Sequence, residues 1–426
     1  MVFQFVKTNI LSKKLRNFLA IFSIAVSVIL IIAVQNITEQ LNSNILKNAS
    51  YYDIIVGSAG SETQLILSTL FYYDSPIANI DIEYYEDLQK DFRVKSVVPI
   101  GMGDNYAGYR IIGTKQNFFT DTENYKIKEG TIFSGEREVV LGSTVAKVTG
   151  LKLGDTFASV HGLTETAGES SHSHEDFKYT VVGILESTKT PNDTVIFTDI
   201  ENLWHAHGLH HDEDGNESGE HIHEEEKTAP VKTHGTASTS ESYTENSTAL
   251  ITALLVRSKG LNEQFLLTNE LGKDSTIQAI NPTAVLRKLL NTLDVGGIIV
   301  TVVAAIAVVL SIIMLFTTML SSSLEKIKDL SILRALGANR KTVFAIILLE
   351  ALIIAIIGAI IGFIVAHLSI GVLGIYTASS FGLDVSAWYI AKGEIVSIVL
   401  TMLLSLIAGT IPGIMVYKVD ATKYIK

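Results

Sequence analysis

The sequence contains no cysteine, so neither a disulfide nor a thiolate-bound metal can contribute to its stability. It also lacks the pattern GxxxxGK(S/T), which excludes the phosphate-binding loop of a Walker-type ATPase. The patterns GxSxG and HExxH are absent, and no pair of carboxylates stands in the sequence context of an active site. These absences predict a non-catalytic chain that binds no cofactor of its own.

Long apolar runs are abundant instead: hydrophobic residues make up 47% of the sequence, and its mean hydropathy is +0.34. Four runs, at 18–35, 295–320, 343–368 and 394–417, reach the length of about 17 to 25 residues that a membrane-spanning helix needs. The predicted fold class is therefore a membrane protein with four transmembrane α-helices. A mixed α+β extracytoplasmic domain, at 36–292, is expected between helices 1 and 2.

The distribution of basic residues predicts the orientation of these helices. The segments 1–17, 321–342 and 417–426 hold 12 Lys and Arg but only 3 Asp and Glu. Basic residues concentrate on the cytoplasmic side of membrane proteins, so both termini and the segment 321–342 are expected in the cytoplasm. The membrane that holds the chain is expected to be the inner or plasma membrane of the cell. The segment 369–393 is then an external loop. The remaining residues are strongly acidic, which argues against nucleic acid as a partner.

The segment 321–342 has the pattern of a short amphipathic helix that ends at a glycine. Apolar residues recur at three- and four-residue spacing, and Gly337 accepts the left-handed conformation of a helix C-cap. The type, order and spacing of these residues resemble the FtsX-like permease domain of the MacB/LolC class of ABC transporters. The residues that carry this resemblance are Glu325, Lys328, Asp329, Leu330, Leu333, Arg334, Leu336, Gly337 and Arg340, followed by Gly358 and Gly362.

This resemblance implies that the segment is a coupling helix that docks on a separate cytoplasmic ATPase, which carries the ATP and Mg²⁺. Four spans make half a transporter, so a second copy or a related permease is implied, with membrane lipid around both. The implied function is coupling of ATP hydrolysis to extracytoplasmic conformational change. Two alternatives stay open: release of lipoproteins in the manner of LolC, and a signalling scaffold that activates cell-wall hydrolases. A periplasmic adaptor or a lipoprotein is a further expected partner.

The extracytoplasmic region contains short alternating segments bounded by glycine, as in 106–114, 136–143 and 177–185, with a helix expected over 143–149. Its order of glycines and β-branched residues resembles the periplasmic core domain of MacB-type permeases. Apolar residues continue at helical spacing over 35–47, and Pro282 begins another helical pattern. Both are predicted to be stalk helices that extend beyond the membrane.

A histidine-rich insertion is predicted within about 161–248, because ten of the eleven histidines fall between His161 and His234 among many acidic residues. Such a polar tract cannot fold alone, so most of 205–248 is expected to be a flexible loop. Imidazole and carboxylate suit Zn²⁺ and similar divalent metals, so metal binding is one interpretation, and a purely compositional bias is the other. The candidate ligands are His172, His174, His205, His207, His210, His211, His221 and His223.

Three further features lie inside the predicted spans. Gly358 and Gly362 have the small-xxx-small spacing that lets two helices approach closely. Glu350 is expected to reach lipid headgroups or Arg340, because it lies near one end of its span. His367 stands alone near the other interface and is expected to be structural.

Overall fold

The computed structural model describes residues 6, 13–121, 125–161, 173–206, 249–325, 327, 339–383 and 385–418. These divide into two compact units. Unit 1 comprises the two ends of the chain, 1–49 and 283–426, and unit 2 comprises the residues between them, 50–282. The predicted order, in which a soluble domain is inserted after the first membrane helix, is therefore confirmed.

Unit 1 consists of long apolar helices. Among the described residues, four helices are long and apolar enough to cross a membrane. They are α1 (Lys14–Ala49), α8 (Pro282–Glu325), α9 (Arg340–Phe381) and α10 (Lys392–Lys418). The first two run without interruption from their apolar segments into the residues that lead to unit 2, as the stalk predictions required.

The core of unit 1 forms where α9 packs against α1 and α10. Small side chains at four-residue spacing on α9, namely Ala351, Ala355 and Ala359, lie buried in this core. Ile24 and Val28 of α1 are buried in the same core. Small residues allow helix backbones to approach closely, which favours association where lipid removes the hydrophobic driving force.

Unit 2 is built on strands β1 (Ile54–Ser58), β2 (Ile80–Asp81), β3 (Val94–Tyr106), β4 (Tyr109–Thr114), β5 (Ile127–Gly130), β6 (Glu138–Leu141), β7 (Thr156–His161), β8 (Ser173–Leu185), β9 (Ile196–Asp199), β10 (Leu250–Ile251), β11 (Ala253–Ser258) and β12 (Ile277–Ile280). Ten of them form a mixed sheet with the order β12-β1-β11-β3-β4-β9-β6-β8-β5, in which β7 pairs with β3 and β8. A separate two-stranded sheet pairs β10 with β2.

Short helices cover this sheet and complete two apolar clusters. One cluster lies around β1, β3 and β11 and includes Trp204, and the other lies around β6, β8 and β9 and includes Tyr179. The helices are α2 (Glu62–Phe71), α3 (Glu83–Lys90), α4 (Asn117–Thr120), α5 (Ser143–Thr149), α6 (Ile200–Ala206) and α7 (Leu261–Leu271), with a 3-10 turn at Pro191–Thr194.

The two ends of unit 2 lie side by side in the sheet. Strand β1 follows the end of α1, and strand β12 precedes the start of α8. The two strands pair antiparallel, with Ile55 opposite Ile280 and Ser58 opposite Ile277. The two connections to unit 1 therefore leave unit 2 from neighbouring strands.

Two predicted boundaries differ from the structure. Helix α9 continues to Phe381, so the segment between α9 and α10 is 382–391 rather than 369–393; we call it the α9–α10 loop. Residues 173–206, placed in the histidine-rich insertion, instead form β8, the 3-10 turn, β9 and α6 of the folded unit.

Candidate functional site

The predicted coupling segment is described only at its two ends. Glu325 ends α8 and Arg340 begins α9. The side chain of Asn339 caps the start of α9 by accepting a hydrogen bond from the backbone N–H of Lys341 at 3.4 Å. The other candidates, Lys328, Asp329, Leu330, Leu333, Arg334, Leu336 and Gly337, lie outside the described residues.

Glu325 connects the end of α8 to the start of α1. Its carboxylate lies 2.9 Å from the Nζ of Lys13 and 3.3 Å from a guanidinium nitrogen of Arg16. Arg16 also donates a hydrogen bond to the hydroxyl of Ser321 at 3.2 Å. The Lys13 and Glu325 side chains are each nearly half exposed, so this ion pair orients the helix ends more than it stabilises them.

Glu350 lies inside unit 1 rather than at a headgroup. It is only 3% exposed, and its carboxylate accepts a hydrogen bond from the hydroxyl of Ser322 on α8 at 3.4 Å. The expectation that it reaches lipid headgroups is therefore wrong. The expected contact with Arg340 stays a prediction, because the Arg340 side chain lies outside the described residues. Burial of a carboxylate requires compensating hydrogen bonds, so Glu350 ties α9 to the end of α8 next to the predicted coupling segment.

Gly358 and Gly362 lie at the closest approach of α9 to α1. A Cβ atom on Gly358 would lie 2.9 Å from the Cβ of Ile24. A Cβ atom on Gly362 would lie 2.8 Å from the carbonyl oxygen of Ala25 and from the Cβ of Val28. Real side chains do not pack at such distances, so both glycines face α1, where only a hydrogen atom fits.

A buried polar cluster occupies the opposite end of the helices, near the residues that lead to unit 2. The carboxylate of Glu394, which is fully buried, accepts hydrogen bonds from Asn36 Nδ2 at 2.6 Å and from the backbone N–H of Ala391 at 2.8 Å. Its second oxygen lies 3.1 Å from Nε2 of His367. The His367 ring packs on Phe363, with ring centroids 4.4 Å apart.

This cluster fixes the α9–α10 loop on α1. The amide of Gln40 exchanges two hydrogen bonds with the backbone of Ser386, at 2.8 and 3.1 Å, and also donates to Asn36. Asn36 donates to the carbonyl oxygen of Tyr389 at 2.7 Å. Glu39 accepts from the Tyr389 hydroxyl at 2.8 Å. Three polar residues of α1 thus hold one loop, although that loop is distant in sequence.

Sequence reasoning missed this cluster because it treated His367 as a lone residue. One signal was available: Asn36, Glu39 and Gln40 place polar groups at three- and four-residue spacing directly after the apolar run of α1. Glu394 likewise stands at the first turn of an apolar helix. The pairing of these residues spans more than 350 positions of the sequence, and no local pattern reveals it.

The histidine candidates are only partly described. His205 lies in the last turn of α6, and the backbone of His174 lies in β8. Within the described residues, no group of three or more His, Cys, Asp or Glu side chains is placed to hold a metal ion. The other candidates, His172, His207, His210, His211, His221 and His223, lie outside the described residues.

Two family models match the chain, and together they cover most of it. The model of the MacB-like periplasmic core domain matches residues 17–239, and the model of the FtsX-like permease C-terminal domain matches residues 301–421. The chain belongs to the MacB/FtsX family of ABC transporter permeases. The predicted resemblance is confirmed. Subunits of this family are generally non-catalytic.

Individual relatives are more distant. An uncharacterized ABC transporter permease of Methanocaldococcus jannaschii is 27% identical over 140 residues, which span 33% of this chain and 35% of that protein. The periplasmic region of MacB from Actinobacillus actinomycetemcomitans aligns with 58% of this chain and 98% of its own, with 12% identity and a TM-score of 0.35. The extracellular domain of the noncanonic ABC-type transporter YknZ from Gram-positive bacteria aligns over 54% of this chain and 99% of its own length, with 14% identity and a TM-score of 0.30.

Proposed function

We propose that this chain is the permease subunit that couples ATP hydrolysis by a separate ATPase chain to conformational change in unit 2 on the extracytoplasmic side. Both termini and the segment 321–342 lie in the cytoplasm, and the chain resides in the cell membrane. The segment 321–342 docks on the ATPase, which binds the ATP and Mg²⁺. A second copy of the chain, or a related permease, completes the transporter.

One observation carries this proposal: each connection between the membrane helices and unit 2 is made by a continuous helix. Helix α1 has 36 residues and α8 has 44. At a rise of about 1.5 Å per residue they extend for about 54 and 66 Å, whereas the hydrocarbon core of a membrane is about 30 Å thick. Each helix therefore continues well beyond the membrane. A continuous helix transmits displacement along its axis, which a flexible linker cannot do.

The contacts at the other ends of these helices support the same proposal. Glu325, the last residue of α8, binds Lys13 and Arg16 at the start of α1. Glu350 of α9 binds Ser322 of α8. Movement of the adjoining segment 326–339 thus acts directly on α8, and through Glu325 on α1 as well. The cargo is not specified by these contacts; export, lipoprotein release and hydrolase activation all use such coupling.

Substitutions in the coupling segment test the proposal. Arg334→Glu reverses a charge that would orient the ATPase, and Gly337→Val places a β-branched residue where a helix C-cap needs positive φ. Each is expected to lower the activity of the co-purified ATPase about tenfold, which corresponds to about 1.4 kcal/mol of lost coupling. The measurement is the ATPase rate of the reconstituted complex.

A charge reversal elsewhere in the predicted cytoplasmic part provides the control. Lys423→Glu lies in the C-terminal segment and is expected to leave the ATPase rate unchanged. Membrane insertion and the oligomeric state of all three variants should match those of the parent. If Arg334→Glu and Gly337→Val both retain the parental ATPase rate, the segment 321–342 does not couple, and the proposal is wrong.

A further inference from the structure

The two ring nitrogens of His367 face two different oxygen atoms. Nδ1 lies 2.6 Å from the carbonyl oxygen of Ala387, and Nε2 lies 3.1 Å from a carboxylate oxygen of Glu394. A backbone carbonyl oxygen only accepts hydrogen bonds, so Nδ1 must carry a hydrogen. In a neutral imidazole the other nitrogen, Nε2, then has a lone pair and no hydrogen.

The second contact therefore requires one more proton. If Glu394 were ionised and His367 neutral, a nitrogen lone pair would point at a carboxylate oxygen, which is repulsive. The observed geometry is attractive only if the pair holds a proton, either on Nε2 or on the carboxyl group. The two hydrogen bonds that Glu394 accepts on its other oxygen, from Asn36 and Ala391, favour the carboxylate and hence the charged imidazole.

Because the pair is buried, the number of protons it holds determines whether it carries a net charge away from water. Glu394 is fully buried, and the His367 side chain is 12% exposed. An unpaired charge in such a place is costly, whereas a protonated pair has no net charge. Among the described residues, the other charged or titratable groups that face this region are Glu39 of α1, Tyr389 and Lys392. Glu39 accepts hydrogen bonds from the Tyr389 hydroxyl and from the backbone N–H of Lys392.

We propose that His367 and Glu394 form a buried binding site for one exchangeable proton, and that this proton holds the α9–α10 loop against α1 and α9. The ligand is H⁺ itself, taken up from water and returned to water. With the proton bound, Ala387 is held by His367, and Ala391 and Asn36 are held by Glu394. When the proton leaves, the pair carries a charge of −1 and the Nε2 contact is lost, so the loop loosens as pH rises.

A tryptophan in the loop reports on this event. The chain has only two tryptophans, Trp204 in unit 2 and Trp388. Trp388 is 93% exposed and stands between Ala387 and Tyr389, whose carbonyl oxygens are bound by His367 and Asn36. A full-length Trp204→Phe protein in lipid nanodiscs leaves Trp388 as the one source of tryptophan fluorescence. We expect its emission to follow a single-proton transition when pH is scanned from about 5 to 9.

Two substitutions, Glu394→Gln and His367→Gln, are expected to shift the emission of Trp388 in opposite directions. In Glu394→Gln the side-chain amide can donate to the bare Nε2 of a neutral His367, so the loop is held without the extra proton. Across the whole pH scan, the emission of Trp388 is then expected to keep the value that the parent protein shows at acid pH. In His367→Gln the proton site is removed. The emission of Trp388 is then expected to keep the value that the parent protein shows at alkaline pH. His205→Gln, at the end of α6, is the matched control and should keep the transition.

Several outcomes overturn the proposal. A parental emission that does not change with pH shows that the pair exchanges no proton in this range. A transition that persists in both His367→Gln and Glu394→Gln shows that another group titrates. Loss of the transition in His205→Gln assigns it to unit 2. Far-UV circular dichroism and size-exclusion elution establish that each variant is folded, and either of the two site variants suffices for the decision.

Discussion

At the scale of single residues, the glycines of α9 determine how closely two membrane helices pack. Gly362 leaves room only for a hydrogen atom against the backbone oxygen of Ala25. Backbone cannot move aside as a flexible side chain can. Gly362→Ala is therefore expected to destabilise unit 1 by about 1 to 3 kcal/mol, the usual cost of overpacking. The melting temperature of the reconstituted protein measures this effect.

Gly297 provides a matched control for this substitution. It also lies within an apolar helix, α8, but no atom lies within 4 Å of the position of an added Cβ. Gly297→Ala should leave stability unchanged or raise it by up to about 1 kcal/mol through helix propensity. Equal melting temperatures for Gly362→Ala and Gly297→Ala would show that α1 and α9 do not touch at this glycine.

Asp91 gives a residue-scale prediction about pH in unit 2. Its carboxylate accepts hydrogen bonds from the guanidinium and the backbone N–H of Arg93, which lower its pKa below the ordinary value of 3.8. Because the pKa is lower in the folded than in the unfolded protein, the ionised carboxylate stabilises the folded state at pH values above the unfolded pKa. This stabilisation is lost as pH falls through the folded-state pKa. Asp91→Asn should therefore cost roughly 1.5 kcal/mol near neutral pH, and this difference should shrink below about pH 4.

The exposed pair of Glu86 and Lys90 serves as a comparison for Asp91. These side chains are 51% and 74% exposed and lie 3.8 Å apart. Glu86→Gln is expected to change the melting temperature little at any pH, because exposed ion pairs contribute little. The measurement compares the melting temperatures of the parent and Asp91→Asn at about pH 3 and about pH 7, on either side of the ordinary carboxylate pKa. An equal difference at the two pH values would contradict the prediction.

At the scale of elements, the sequence predicts helix bounds that local residues set better than bounds that tertiary contacts set. Residues 143–149 form the helix expected there, because Gly142 precedes it and Gly150 ends it in a left-handed conformation. The span that contains α9 was expected to end near 368, at the end of the predicted apolar run. It continues because Gly371 and Gly374 pack against the α9–α10 loop: an added Cβ on Gly374 would fall on the Val385 carbonyl oxygen. That contact is tertiary and has no local signature.

Pairs that are distant in sequence also escape prediction at this scale. His367 and Glu394 belong to different helices, and Asn36 belongs to a third. Hydropathy identifies all three helices but gives no information on which polar faces meet. The small-residue spacing of Gly358 and Gly362, by contrast, is a local pattern with a direct physical meaning, and the structure places both glycines against α1.

The continuity of α1 beyond its apolar segment leads to an element-scale prediction. Ser43 is exposed in the interior of this helix. Proline there removes a backbone hydrogen bond and clashes with the preceding turn, at a cost of about 3 kcal/mol. Ser43→Pro should thus abolish transmission of ATP-driven movement to unit 2, while Ser43→Ala should preserve it.

A fluorophore on unit 2 measures this transmission. Because the chain has no cysteine, Lys90→Cys provides a single labelling site on α3. With the co-purified ATPase present, ATP should change the emission of the label in Ser43→Ala but not in Ser43→Pro. An ATP response of equal size in both variants would show that the continuity of α1 is not required.

At the scale of the whole molecule, metal binding by the histidine-rich segment stays a prediction. The structure refines the deletion that tests it. His205 lies in α6 next to Trp204, which packs in a core cluster of unit 2, so the deletion should begin at residue 207 and end at 234. The full chain is expected to bind several Zn²⁺ weakly at neutral pH, and less below about pH 6.5, where imidazole becomes protonated.

Calorimetry on the full chain and on the chain that lacks residues 207–234 decides this point. The shortened chain should lose most of its zinc uptake and keep its melting temperature. Equal zinc uptake by both would mean that the histidines of this segment are compositional. A large drop in melting temperature would mean that the segment contributes to the fold, against its polar composition.

The pairing of β1 with β12 has a consequence for how unit 2 can move. Residues 50–53 connect α1 to β1, and Asn281 alone connects β12 to α8. Adjacent strands lie about 4.8 Å apart, so the two attachment points are held together by a ladder of hydrogen bonds. Displacement of one attachment point along its strand relative to the other would break these hydrogen bonds. The two attachment points of unit 2 are therefore constrained to shift together rather than one at a time.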